Sequence, residues 1–346
     1  MKNKLYPTIA IIALAVLFTV FSETAAQSAL DSMENCIKNI IPSLFPFMVI
    51  SSMITNSGAS EILGKIFPIA KLYSLPLCAS APIIIGSICG FPLGAKAATE
   101  LYERGYISKT ETEVLISVSN NTGPSFIIFV IGAKYWNDIK FGIFLYIAQI
   151  ICSVIAGIIV NSLILPPKQL KSFVGNTIKC KETHLNIAKS ISSASFSSLT
   201  ICGFITFFSS LNSVLSNLLC FAPINLKLTI LGILEFSDAA LLSSEYKSIF
   251  CVFICGFAIG WSGLSVFCQT LSFTSALNLS LKRCVLTKLI QGILLGISSV
   301  IYFTKINTNM IIDKFINTPL LQALLFVILT LFCICIIYII KKCKGA

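Results

Sequence analysis

Long apolar runs, each about the length needed to cross a lipid bilayer, recur along most of this sequence. A transmembrane helix needs about 20 apolar residues, and eight runs are close to that length. They occupy residues 5–21, 37–55, 114–133, 141–165, 191–215, 249–274, 284–304 and 320–340. Charged residues are only 11% of the chain, whereas soluble domains carry about 25%. The pattern predicts an all-α polytopic membrane protein and excludes a soluble enzyme, a coiled coil or a disordered chain.

Positive charge exceeds negative charge, with 25 Lys and Arg against 14 Asp and Glu. In a soluble protein this excess would suggest nucleic-acid binding, but in a membrane protein Lys and Arg concentrate in cytoplasmic loops. Their distribution favours a cytoplasmic N-terminus and C-terminus, with Lys282, Arg283 and Lys288 together in one cytoplasmic segment. A basic cytoplasmic loop at 166–190 could face anionic lipid. The lipid bilayer is therefore an expected partner, and nucleic acid is not.

The first apolar run has two interpretations. A basic start followed by the run at 5–21 could be a signal peptide. An uncleaved first span is favoured because the run is long for a signal peptide. The acidic residues that follow indicate an outside loop, so residues 1–36 hold the first transmembrane helix and this loop. Residues 305–346 hold the last transmembrane helix and a basic tail.

Two further apolar stretches are too short to cross the membrane, and runs of about 10–14 residues are often re-entrant. They predict helical hairpins at about 75–106 and 224–246. The order span, hairpin, span, span then occurs twice, in residues 37–165 and 191–304. Because the two hairpins enter from opposite sides, the units are predicted to be inverted repeats. That architecture is typical of secondary transporters.

Each hairpin tip, and the span after each hairpin, is interrupted by residues that break helices. The interruptions lie at 90–96, 119–125, 235–239 and 260–265. Irregular backbone inside a membrane is tolerated only where protein or a water-filled cavity covers it. Four interruptions in corresponding positions therefore predict one central cavity.

The candidate substrate-binding residues share one property, which is that they lie in or beside these interruptions. They are Phe91, Pro92, Gly94, Lys96, Asn120, Asn121, Thr122, Ser125, Ser237, Ser262 and Ser265. The helix that starts after each tip favours an anion at its N-terminus. Pro92 suits a first helical turn, and Ser237 suits an N-cap. Lys96 is expected to contact a substrate carboxylate, or else to pair with Glu235 or Asp238, or to snorkel.

Other polar and aromatic residues have a structural alternative beside the functional one. Glu235 and Asp238 could hold a coupling H⁺ or Na⁺, or they could lie at the membrane interface. The Asn and Thr side chains at 120–122 could bind substrate or join helices. Phe91 and Trp261 could stack on an aromatic ring or face lipid.

No cofactor, metal site or catalytic residue is predicted. The 14 cysteines include no CxxC pair, and the single histidine lies in the 166–190 loop; a zinc site would need clustered ligands. The phosphate-binding GxxxxGK[ST], the HExxH and the GxSxG patterns are missing. The protein is therefore not expected to be an enzyme or to use ATP by itself.

Four sequence motifs lie between residues 41 and 132. They are Ile41-Pro42-Ser43-Leu44-Phe45-Pro46-Phe47, Phe91-Pro92-Leu93-Gly94-Ala95-Lys96, Leu101-Tyr102-Glu103-Arg104-Gly105-Tyr106-Ile107-Ser108 and Asn121-Thr122-Gly123-Pro124-Ser125-Phe126-Ile127-Ile128. Together they resemble the sporulation integral membrane protein YlbJ family, and the second half resembles it in layout. The resemblance implies a nucleoside-recognition Gate domain, similar in plan to concentrative nucleoside transporters, which also suggest a homo-oligomer.

The resemblance also implies a function. Its members are linked to moving dipicolinic acid from the mother cell across the outer forespore membrane during sporulation. Dipicolinate is a flat aromatic dianion, and Lys96 with two helix N-termini would suit its carboxylates. Glu235 and Asp238 would repel it unless they are protonated or bind a cation. The alternatives are a nucleoside or ion transporter, or a structural membrane component of a sporulation complex that transports nothing.

Overall fold

The computed structural model describes residues 2–164 and 186–306. The predicted last span at 320–340, the C-terminal tail and most of the loop at 166–190 lie outside the described residues. Within the described ranges the chain is helical nearly throughout and contains no strand. The predicted all-α class is confirmed for this part of the chain.

The α-helices are numbered here in chain order. They are α1 Lys2–Val20, α2 Ser22–Asn35, α3 Ile41–Asn56, α4 Ala59–Ile66, α5 Ser80–Ile88, α6 Leu93–Glu103, α7 Lys109–Ser119, α8 Ile139–Ile164, α9 Ile187–Leu218, α10 Ile224–Leu234, α11 Phe236–Tyr246, α12 Ile249–Trp261, α13 Gly263–Thr274 and α14 Lys282–Ile306. Two π-helical segments, Cys36–Ile40 and Ser125–Tyr135, precede α3 and follow the break after α7.

Four helical segments of the described chain are long and apolar enough to cross a membrane. They are Ile139–Leu163, Ile187–Leu218, Ile249–Leu277 and Lys282–Lys305. A fifth is counted if the bent pair Thr8–Val20 and Ser22–Ile40 forms one span. Shorter apolar helices lie between them, including Leu44–Asn56 and Ser125–Tyr135, within two of the predicted spans. This set of helices is that of a polytopic membrane protein.

The distribution of side chains also suits a lipid environment. On α9, Phe196 and Leu199 are 74% and 71% exposed, although both are strongly apolar. Amide side chains lie instead in the interior, where Gln149 and Gln291 are fully buried. Apolar residues outside and hydrogen-bonded polar residues inside are expected when lipid, and not water, surrounds the helices.

Residues 22–35 differ from the outside loop that the sequence predicted. They form α2, and the helices on either side of residue 21 meet at 89°. α2 lies along α9, where Ser210 Oγ donates to the Ala25 carbonyl at 3.2 Å and Asn217 Nδ2 donates to Thr24 Oγ1 at 3.1 Å. The segment is rich in Ala, Glu and Gln, which favour helix. Its acidic residues indicated a loop, but these contacts give the polar helix a surface on which to fold.

Glycines bring α12 and α14 close together. Gly256 and Gly260 on α12 face Gly296 and Gly292 on α14, and a Cβ on Gly260 would lie 2.7 Å from the Gly292 Cα. Small residues four apart allow membrane helices to approach until their backbones touch. This contact fixes the position of α14, and with it the side chains one turn earlier on that helix.

Candidate functional site

The first hairpin is formed by α5 and α6, and its tip packs on the end of α7. A Cβ on Gly86 or on Gly94 would overlap the Ser119 carbonyl oxygen. The two glycines thus let both arms close on the carbonyl that ends α7. Pro92 is buried and stands immediately before α6, at the N-cap position instead of in the first turn.

The helix after the first hairpin is interrupted for four residues. α7 ends at Ser119, residues 120–123 are not helical, and helical structure resumes at Pro124, just before the π-helical segment that starts at Ser125. A Cβ on Gly90, at the tip of the first hairpin, would lie 2.9 Å from the Gly123 amide nitrogen. The hairpin tip therefore covers the break in the helix that follows it.

The second hairpin, formed by α10 and α11, makes a similar contact. α12 ends at Trp261, Ser262 is left-handed with φ +73°, and α13 begins at Gly263. A Cβ on Gly263 would lie 2.9 Å from the Leu234 carbonyl oxygen, and Trp261 Nε1 donates to the Ile233 carbonyl at 3.0 Å. Each hairpin tip is thus packed on the broken helix that follows it in the chain.

The two hairpin tips also contact each other. The ring centroids of Phe91 and Phe236 are 5.2 Å apart, and those of Phe126 and Phe236 are 5.4 Å apart, both in edge-to-face geometry. Asn120 Nδ2 donates to Thr270 Oγ1 on α13 at 3.1 Å. Residues that are far apart in the sequence therefore meet at one centre. At this centre the Phe91 ring packs against a protein ring, that of Phe236.

A buried polar network joins the first break to α14. The Asn121 Oδ1 atom accepts from Lys288 Nζ at 3.1 Å and from Gln291 Nε2 at 3.1 Å. Lys288 also donates to Gln291 Oε1 at 2.8 Å. Asn121 is 2% exposed, and Lys288 and Gln291 are fully buried. These three side chains lie beside the first break, one of the four interruptions around which the central cavity was predicted.

Gln149 on α8 holds the backbone of the same break. Its Nε2 donates to the Thr122 carbonyl at 2.9 Å, and its Oε1 accepts from the Thr122 amide at 3.3 Å. Gln291 Nε2 donates to the Gln149 carbonyl at 3.4 Å. The Gln149 side chain thus supplies hydrogen bonds to the Thr122 backbone. Asn121 Nδ2 donates to the Val118 carbonyl at 3.1 Å. Such partners are what buried backbone requires.

Lys288 was assigned wrongly from the sequence. We counted it with the cytoplasmic loop residues, but it lies inside α14 and is fully buried. Its position within the apolar run at 284–304 could have identified it as a buried residue. A Lys at membrane depth is a functional candidate by default. Gln149 and Gln291 were also missed, because a lone Gln in an apolar run gives no indication of its partner.

Lys96 does not pair with Glu235 or Asp238. Its Nζ lies 3.9 Å from Glu100 Oε1, one turn along α6, and donates to the Ser193 carbonyl on α9 at 3.3 Å. Thr55 on α3 donates to the same Glu100 carboxylate. Lys96 therefore faces α3 and α9, and Glu100 already opposes its charge.

The acidic residues of the second hairpin have different surroundings. Glu235 is 8% exposed and accepts from the Ser237 hydroxyl at 2.9 Å and from the Ser237 amide at 3.3 Å. Glu235, and not Ser237 as predicted, is therefore the N-cap of α11. Asp238 accepts from Asn212 Nδ2 on α9 at 2.7 Å. The two carboxylates therefore have different hydrogen-bond partners.

The remaining predicted residues differ in burial. Ser262 and Ser265 are buried, and Ser265 Oγ accepts from Gln269 at 3.3 Å, whereas Ser125 is exposed. Several buried polar atoms beside the breaks have no hydrogen-bond partner in the described part of the chain. They are Ser119 Oγ, Asn120 Oδ1, Thr122 Oγ1, Ser262 Oγ and Thr287 Oγ1.

Comparison with known proteins gives one distant relative. The chain is 24% identical to the sporulation integral membrane protein YlbJ of Bacillus subtilis (strain 168) over 295 residues, which cover 73% of this chain and 71% of that protein. No family model and no solved structure matches the chain. The similarity supports the resemblance seen in the motifs, and with the apolar helices it supports an integral membrane protein.

Proposed function

We propose that this chain is a secondary transporter or facilitator that moves a small organic anion across the membrane. The observation that carries this proposal is the meeting of both hairpin tips, through Phe91 and Phe236 at 5.2 Å, beside two broken helices. A chain that only filled the membrane would keep continuous helices, because each break leaves backbone groups that need other partners. Breaks gathered at one place are typical of a substrate site in transporters.

The arrangement of elements supports two repeated units. In the first unit, α3 is followed by the α5–α6 hairpin, a broken helix and α8; in the second, α9 is followed by the α10–α11 hairpin, a broken helix and α14. We infer that the units at 37–165 and 191–304 are inverted repeats around the site. The hairpin helices α6 and α11 start at the centre, and their N-termini favour an anion there.

Dipicolinate is the proposed substrate, carried from the mother cell across the outer forespore membrane. Support comes from the motifs and from the relative, whose name describes a sporulation membrane protein. A flat dicarboxylate fits a site that offers helix N-termini and amide side chains. Glu235, buried with only hydroxyl and amide partners described, is the candidate for coupling to H⁺ or Na⁺.

Flux into proteoliposomes tests the proposal directly. The purified chain should accelerate the entry of radiolabelled dipicolinate over that of empty vesicles, and an imposed pH or Na⁺ gradient should show whether Glu235→Gln removes coupling. Uridine serves as the matched neutral substrate. Uridine flux without dipicolinate flux would favour a nucleoside transporter, and no flux of either would favour a structural membrane component.

A replacement experiment tests the sporulation role. In Bacillus subtilis lacking its own YlbJ, this chain should place dipicolinate in the spore. The spore and mother-cell pools are measured separately, since a block at membrane transport empties the spore and loads the mother cell. Equal pools with and without this chain would argue against the role.

A further inference from the structure

Lys288 is a buried cation for which the described residues provide no counter-charge. Its side chain is fully buried, and its hydrogen-bond acceptors, Asn121 Oδ1 and Gln291 Oε1, are both neutral. No ion pair to Lys288 occurs within the described ranges. A cation at membrane depth is costly unless it is paired or faces a water-filled path. A buried cation without a counter-charge therefore needs a physical or functional explanation.

Acidic residues on α7 and on the second hairpin have other partners. On α7, Glu113 accepts from the Ser280 amide at 2.9 Å and lies 4.0 Å from Arg283 Nε. The carboxylates of the second hairpin have the hydroxyl, amide and Asn partners given above. A chain that needed only a structural ion pair could place one of these acids beside Lys288. The Lys288 ammonium group instead lies beside the first break without an acidic partner among the described residues.

Buried oxygen atoms without a described partner belong to the sequence neighbours of Asn121 and Lys288. Asn120 Oδ1 and Thr122 Oγ1 lie on either side of Asn121 in the chain, and Thr287 Oγ1 belongs to the residue before Lys288. Asn120, Thr122 and Thr287 are at most 2% exposed. Buried polar atoms are normally hydrogen-bonded, and a hydroxyl can donate to an anion. Two buried hydroxyls without a described partner are thus the sequence neighbours of the two residues that form the Asn121–Lys288 contact. Hydroxyl and ammonium groups are both donors that a carboxylate can accept from.

We infer that Lys288 binds a carboxylate of the transported molecule, and that Asn121 and Gln291 hold the ammonium group in place until the substrate arrives. This inference rests on the proposed transport function and names the group that gives it charge selectivity. The Lys96 ammonium, which Glu100 already opposes, is not that group. The substrate class is a small molecule with at least one carboxylate.

Ligand-induced stabilisation of the full chain in detergent tests the site without requiring transport. The probes are dipicolinate, benzene-1,3-dicarboxylate and pyridine-2,6-dicarboxamide, the last having the same shape and no charge. We expect at least one dicarboxylate to raise the thermal unfolding midpoint of the wild type, with no shift from the dicarboxamide. Lys288→Met should weaken dicarboxylate binding about tenfold or more, the range of a lost charge-assisted hydrogen bond.

Two other variants separate binding from folding. Lys305→Met removes an exposed lysine near the end of the same helix and should bind like the wild type. Asn121→Asp should place a carboxylate at the atom that Lys288 contacts, and so should fold while losing the dicarboxylate shift. If Lys288→Met fails to fold, Asn121→Asp decides the question.

The outcomes distinguish this inference from the proposed function. Equal dicarboxylate shifts in the wild type, Lys288→Met and Asn121→Asp would overturn the role of Lys288 while leaving transport intact. No shift of the wild type with either dicarboxylate would overturn the carboxylate site. A shift that depends on Lys288, without dipicolinate flux into vesicles, would support the site and reject the proposed transport of dipicolinate.

Discussion

The two broken helices of this protein are interrupted in different ways. The first has four non-helical residues, 120–123, and is hydrogen-bonded by side chains from α8 and α14. The second turns on one left-handed residue, Ser262, and closes directly on the second hairpin. Both breaks contact the backbone of a hairpin, but the first is also joined to polar side chains of other helices, whereas the second is joined to its hairpin through Trp261 and Gly263.

The difference indicates a division of roles between the two halves. In the proposed site, Asn121, Thr122 and Lys288 give the first break hydrogen-bonding groups for a ligand. At the second break, Trp261 and Gly263 leave little room for anything except the hairpin. We therefore expect ligand binding to depend on the first break, and we expect a glycine inside the break itself, as distinct from one on a hairpin arm, to tolerate a side chain less at the second break.

The largest expected effect tests the contact that seats the first break. A methyl group at Gly86 would overlap the Ser119 carbonyl, so Gly86→Ala must displace backbone and should cost about 3 kcal/mol or more. The measurement is the thermal unfolding midpoint and folded yield in detergent. Gly203→Ala is the matched control, because Gly203 is helical with open space around it and should gain from the better helix former.

The next effect tests the polar construction of the first break. Asn121→Ala removes the acceptor shared by Lys288 and Gln291 and should lower the free energy of unfolding by about 2–3 kcal/mol. Chemical or thermal unfolding in detergent measures the change. Asn121→Asp keeps this acceptor and should lose less, namely the hydrogen bond that Asn121 Nδ2 donates to the Val118 carbonyl at 3.1 Å. Equal losses for both variants would show that the bonds accepted by Asn121 Oδ1 do not hold the break.

A glycine pair compares the two breaks directly. Gly263 has φ +84° and little space, whereas a Cβ on Gly123 would meet its nearest neighbour at 3.4 Å, an ordinary contact. Gly263→Ala should therefore cost about 2 kcal/mol, and Gly123→Ala should cost less than about 1 kcal/mol. The measurement is the thermal unfolding midpoint of each variant in detergent. If Gly123→Ala is the more damaging of the two, the proposed contrast in packing is wrong.

The smallest effect is a gain at the second break. Ser262 is in the left-handed region, and its Oγ has no partner among the described residues. Ser262→Gly should therefore stabilise the protein by up to about 1 kcal/mol, because glycine adopts this conformation without a steric cost. Transport should be unaffected in a flux assay. A loss of flux in a stable Ser262→Gly variant would show that the hydroxyl contacts substrate.

Part of the site could be predicted from local sequence. The clustered Asn, Gly and Pro residues at 119–125 indicated a break, because few other reasons exist for them within an apolar run. The partners of that break could not be predicted. Lys288 is 167 positions from Asn121, and Gln149 looks like any isolated polar residue in a membrane helix. Which side chains meet depends on the crossing of helices, and a single sequence does not specify that crossing.

The sequence by itself determined that this chain is helical and lies in a membrane, since run length and apolar composition follow directly from the thickness of the bilayer. Only the tertiary structure decided that Lys96 is paired with Glu100, that Lys288 is buried without a described counter-charge, and that residues 22–35 form a helix along α9. Hydrophobicity is a property of each segment, whereas the partner of a charge depends on the segments packed against it.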